Sequence, residues 1–113
     1  MIADVGAEAF LVDAADHDRA IALTSHMPQI LSTALASYLS DHDVAKFAGT
    51  GLATFLRLAA SDASVWTPTI EANRRNIQPH VEPIIEIIRA ILNGDAEAFK
   101  RAQAFMKKLT ADS

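Results

Sequence analysis

The stretch AIALTSHMPQILSTALASYLS, Ala20 to Ser40, decides how this chain folds. It runs twenty-one residues without one formally charged side chain, yet Thr24, Ser25, His26, Gln29, Ser32, Thr33 and Ser37 are spread along it. Wound at about 100° per residue, Ala20, Leu23, Met27, Ile30, Ala34 and Tyr38 fall on one apolar stripe. Ala22, Ser25, His26, Gln29, Thr33 and Ala36 form the back. An exposed helix back normally carries Lys and Glu, so this one predicts a helix with two buried faces, the second against a cleft, a ligand or another subunit. Pro28 has no N–H for the carbonyl of Thr24, which predicts a bend and a free acceptor beside Ser25 and His26. The proline and the polar side chains also argue against a membrane span, where every such group would need a partner in hydrocarbon.

At 113 residues there is room for one domain, and half of them are apolar. That is the upper end for a soluble domain of this size, and the excess is most easily hidden by oligomerisation or by docking on another domain. The charge-free helix makes a homodimer the expectation. The absence of cysteine removes disulfides, thiolate zinc sites and thiol catalysis, and fits a cytoplasmic protein. A net charge of −4 argues against nucleic-acid binding. Of the basic residues, Arg74 and Arg75 are adjacent, while Lys100, Arg101, Lys107 and Lys108 lie towards the C-terminal half of a helix, where its dipole favours cations. Met1 to Leu11 has no basic start followed by a long apolar core, so it does not read as a signal peptide.

Outward from the central stretch, Glu8 to Val12 reads as a strand ending a preceding unit, and Asp13 or Asp16 as the N-cap of the long helix. Ser40 to Asp43 breaks that helix and can cap the next, through Lys46 and Phe47 to Gly49-Thr50-Gly51. A further helix is expected from Leu52 to about Ala60. Ser61 and Asp62 cap a short turn containing Trp66, and Thr67 with Pro68 supplies a cap followed by proline at the first helical position. Helical spacing continues through Ile70, Ile77, Val81, Ile84, Ile85, Ile88 and Leu92, in two collinear pieces because of Pro79 and Pro83. Asn93-Gly94 is a stop, and Asp95 caps a last helix whose Phe99, Ala102, Phe105, Met106 and Leu109 face the core. The expected class is all-α.

Candidate chemistry is sparse. His17 and His26 lie about 180° apart on one helix and cannot share a metal there. His42 between Asp41 and Asp43 reads as a solvated cap, and His80 beside Pro79 is uninformative, so no metal site is expected. Arg57 is the only charge between Ala48 and Ser61 and lies in an apolar helix. It either reaches solvent or pairs with a carboxylate of the chain, or its planar fork holds the carboxylate of a ligand.

His17-Asp18-Arg19, then Ser25-His26-Met27-Pro28, then Arg57-Leu58-Ala59-Ala60-Ser61-Asp62 with Trp66 and Asn73, resembles the C-terminal helical domain of prephenate and arogenate dehydrogenases. The resemblance covers nearly the whole chain. It implies a helical bundle with one long kinked helix, of the 6-phosphogluconate-dehydrogenase C-terminal-like type, that dimerises and closes over the substrate. It further implies that Ser25, His26, Gln29 and Trp66 line the substrate cleft and that Arg57 holds a substrate carboxylate. Two positions depart from the family pattern: Gln29 stands where a second histidine is common, and Thr54 where an aspartate is. The implied activity is oxidative decarboxylation of prephenate, arogenate or an amino-deoxyprephenate of secondary metabolism, within tyrosine or related biosynthesis. A helical dimerisation module that kept the architecture without the catalysis is the alternative. NAD or NADP would be bound by a nucleotide-binding domain, because no G-x-G-x-x-G follows a strand here. On this reading residues 1–12 are the tail of that domain or a linker, residues 13–113 are the helical domain, and these residues alone bind no cofactor and catalyse nothing.

Overall fold

The computed structural model describes residues 2–5, 8–11 and 13–111, the first two segments as backbone only. Apart from one hairpin the chain is helical, in keeping with the expected all-α class. Strand β1 (Ile2–Val5) pairs antiparallel with β2 (Glu8–Leu11), with Ile2 opposite Leu11 and Val5 opposite Glu8. The strand expected over 8–12 is thus one arm of a hairpin; Val12 lies outside the described residues. By contact the chain divides into two compact units, residues 18–77 and residues 1–17 with 78–113.

Helix α1 (Ala14–Ile21) starts at Asp13, whose Oδ1 accepts the backbone N–H of Asp16 at 2.7 Å. A π-helical turn (Ala22–His26) follows, then α2 (Met27–Leu39). The disturbance expected at Pro28 takes a definite form: Met27 N–H donates to Ala22 O, five residues back. Slipping the register by one just before the proline opens the turn its ring would otherwise crowd. The Thr24 hydroxyl donates to Ala20 O at 3.0 Å within the same segment.

The two faces of this helix exchange the roles expected of them. Within residues 20–40 the buried positions are Ala22, His26, Met27, Gln29 and Ser32, most of them on the polar back. Of the apolar stripe only Met27 is buried and Ile30 half-buried, whereas Leu23 is exposed and Tyr38 is 67% exposed. The reason is hydrogen bonding. Buried polar groups must be paired, and the back finds its partners inside the chain, so the apolar stripe is left for something else.

Those partners also reshape the region after Gly49. The helix expected from Lys46 is only a 3-10 turn (Ala45–Phe47), and α3 (Thr50–Phe55) gives way at Leu56 to a 3-10 turn (Arg57–Ala60). Ser32 Oγ donates to Phe55 O at 3.1 Å and Gln29 Nε2 to Leu58 O at 2.7 Å. Phe55 O thus serves α2, and Leu58 O is shared between Gln29 and the backbone N–H of Ser61, 3.1 Å away. Helix α4 (Ala63–Ala72) begins earlier than expected, capped by Asp62, so Pro68 sits inside it and not at its first position. Nearby, Thr69 Oγ1 donates to Val65 O at 2.8 Å. The short α5 (Arg74–Ile77) packs on the π-helical turn and buries Ile77.

In the other unit a 3-10 turn (Gln78–His80) leads into α6 (Val81–Leu92), which packs on α7 (Ala96–Ala111). Pro83 lies in the first turn of α6, where no N–H is required. Gly94 has φ of +90°, a left-handed conformation that costs other residues energy, and Asp95 Oδ1 accepts Glu97 N–H at 2.9 Å. The expectation that Phe99, Phe105, Met106 and Leu109 face the core is overturned: all four are exposed, as is Ala102, and Ala98 is the only buried residue of α7. Packing on α6 covers only a narrow stripe of α7. Among the described residues Ala22, Met27, Ile77 and Ala98 are the only buried apolar ones.

Candidate functional site

Residues 18–77 gather the polar side chains that bear on function. The π-helical turn ends at His26, which is 4% exposed, and the wide turn puts it on the buried side together with Ala22. The His26 ring meets Trp66 of α4 edge-on, with centroids 6.1 Å apart and planes at 86°. Its Nδ1 lies 3.1 Å from Asn73 Nδ2, and the same amide nitrogen donates to Asp18 O at 2.8 Å. Asn73 Oδ1 accepts from Asn76 Nδ2 at 2.7 Å. A cavity of about 210 Å³, lined by Asp18, Ile21, His26, Thr69, Ala72 and Asn73, opens beside this group.

One turn further along α2, Gln29 is also 4% exposed, and its amide is largely spent within the chain. Besides Leu58 O, Nε2 donates to Thr33 Oγ1 at 3.0 Å, while Oε1 accepts from Ser61 Oγ at 3.3 Å. Gln29 also lines a cleft of about 360 Å³ between α2 and α4, with Ile30, Thr33, Ala34, Ser37, Ser61, Trp66 and Thr67 among its neighbours. Every residue lining this cleft is uncharged. The nearby Asp62 carboxyl is held below its ordinary value of 3.8, chiefly by the backbone N–H of Ser64 and then by the Ser64 hydroxyl, 2.9 Å away.

Of the residues singled out from the sequence, His26, Gln29 and Trp66 come together through α2 and α4. Ser25 is half-buried in the π-helical turn. Arg57 is exposed on its 3-10 turn, and its side chain makes no ion pair or hydrogen bond among the described residues. Its backbone is nevertheless tied to α2, because the flanking carbonyls of Phe55 and Leu58 accept from Ser32 and Gln29. Ser32, Ser61 and Asn73 are the residues whose structural role sequence reasoning missed. Ser61 read only as a helix cap, Asn73 carried no role, and no local pattern announces a side chain that binds backbone 23 to 55 positions away.

No described segment has the form a dinucleotide requires. The two strands pair with each other, and no glycine-rich turn joins a strand to a helix N-terminus, where a pyrophosphate would sit. No group of three or more metal-ligating side chains is found among the described residues, and no described helix is long and apolar enough to cross a membrane.

Comparison with known proteins gives the family. The family model described as prephenate dehydrogenase, dimerization domain, matches residues 13–107. The chain is also 30% identical to the probable prephenate dehydrogenase NovF of Streptomyces niveus, over 84% of this chain and 29% of that protein. It therefore spans less than a third of that relative's length. With the match running from the cap of α1 almost to the end of α7, the chain belongs to the prephenate dehydrogenase dimerization-domain family.

Proposed function

We propose that these residues form the part of a prephenate or arogenate dehydrogenase, or of an enzyme acting on an amino analogue, that pairs two copies and completes the substrate site. The observation that carries this reading is the joint placement of His26, Trp66 and the Gln29-anchored Arg57 turn on one unit, next to an uncharged cleft. The cleft suits a ring. The exposed Arg57 fork, which no carboxylate among the described residues occupies, suits a carboxylate of the substrate.

In the whole enzyme, NAD or NADP would take a hydride from the ring as carbon dioxide leaves. Residues 13–113 contribute to this by holding the substrate, and residues 1–12 lead from the nucleotide-binding domain. Ser25 and His26 face the substrate's polar groups. Gln29 acts on it mainly through the turn it anchors, since both its amide hydrogens are already donated. The pairing is a homodimer in the cytoplasm, formed through the apolar surfaces that a single copy leaves exposed.

The test is steady-state kinetics of the full-length protein with prephenate and with arogenate. Arg57→Ala is expected to lower kcat/KM at least about tenfold, with Arg57→Lys in between because it keeps the charge but loses the planar fork. Cofactor KM and melting temperature should barely move. Unchanged kinetics in Arg57→Ala would remove Arg57 from the site.

A further inference from the structure

The hydrogen bonds around Asn73 decide more than packing. A backbone carbonyl can only accept, so the 2.8 Å contact to Asp18 O fixes which end of the Asn73 amide is nitrogen. The Oδ1 end is taken by the Asn76 amide. The second Nδ2 hydrogen then points at His26 Nδ1, 3.1 Å away, and that ring nitrogen must accept. In a neutral imidazole whose Nδ1 accepts, the proton is on Nε2.

We infer that Asn73 is a positioning residue that locks His26 as the Nε2–H tautomer, so that His26 meets a ligand as a hydrogen-bond donor and not as a proton acceptor. The lock is anchored at both ends of the unit's sequence. Asn73 closes α4, Asp18 precedes the π-helical turn, and the edge-on Trp66 limits rotation of the ring. The ligand chemistry this fits is an acceptor oxygen, a carbonyl or carboxylate. That part rests on the substrate site proposed above.

The tautomer can be read directly in the full-length protein carrying 15N-labelled histidine, from two-bond proton–nitrogen correlations at mildly alkaline pH. The His26 signals are those absent from the spectrum of His26→Gln. A ring protonated at Nε2 alone is expected; a wild-type ring protonated at Nδ1 overturns the inference without any Asn73 variant having to fold. Asn73→Asp replaces the donor by an acceptor and is expected to draw a proton onto Nδ1, with kcat/KM for prephenate or arogenate falling about tenfold or more. A purely packing role for Asn73 would lower stability and leave the tautomer unmoved, which also overturns the inference. His26→Gln keeps a donor near the Nε2 position and should retain more activity than His26→Leu. Equal kinetics for wild type and His26→Leu, with the ring still protonated at Nε2, would remove His26 from the substrate site while supporting the tautomer assignment.

Discussion

Residues 18–77 and residues 78–111 use opposite means to hold their shape. In the first, the buried side chains are more often polar than apolar: His26, Gln29, Ser32 and Asn73 accompany Ala22, Met27 and Ile77. Long-range hydrogen bonds from α2 and α4 fix the backbone on which Arg57 and His26 sit. In the second, α6 and α7 present Ile87, Ile88, Ile91, Phe99, Phe105 and Leu109 to the outside, and the ion pairs are exposed i to i+3 contacts such as Lys100 with Glu97. Such pairs add little stability. The first region places particular groups through buried polar contacts, whereas the second has none among the described residues, and both leave large apolar side chains exposed.

The sharpest way to break this contrast is a charge on the exposed apolar surface. Ile88→Asp should raise the dimer dissociation constant by about a hundredfold or more, since each copy loses apolar burial and forces a carboxylate into the contact. Analytical ultracentrifugation reads it. A dimer of unchanged strength would place the contact elsewhere, the exposed stripe of Leu23, Leu31, Leu35 and Tyr38 being the next surface to probe.

A smaller effect separates polar placement from mere filling. Gln29→Glu keeps the shape but turns a donor into an acceptor facing Leu58 O, and should cost about 2–3 kcal/mol by denaturant unfolding. Gln29→Met removes the polar group, leaving Ser61 Oγ without its acceptor and Leu58 O with only the Ser61 N–H, and should cost about 1–2 kcal/mol. The reverse order would mean that the amide fills space and does not anchor the turn.

The smallest expected effect is electrostatic. Because folding lowers the Asp62 pKa, its charge stabilises the folded state above the ordinary value of 3.8, and that contribution is lost as pH falls through the lower folded value. Asp62→Ala should therefore lower the melting temperature slightly at neutral pH, with the gap to wild type closing below pH ~4. A gap that widens on acidification would reverse the sign of the linkage.

Much of this could be read from the chain itself, because it depends on neighbours in sequence. The Asp13 and Asp95 caps, the stop at Gly94 and the disturbance before Pro28 are local events, set by side-chain oxygens, backbone freedom and a missing N–H within about one helical turn. That neither face of Ala20–Ser40 carries a charge was equally legible, but only one of the two expected buried faces is buried within the chain. Periodicity marks which residues share a face but not what lies opposite. Which face turned inward was settled only in three dimensions, when the carbonyls of Phe55 and Leu58 came within reach of Ser32 and Gln29 and left the apolar stripe outside. The same holds for Asn73, whose amide joins Asp18 and His26 from 55 and 47 positions away. Caps and stops answer to the nearest residues; a buried polar group answers to whichever partner the fold delivers.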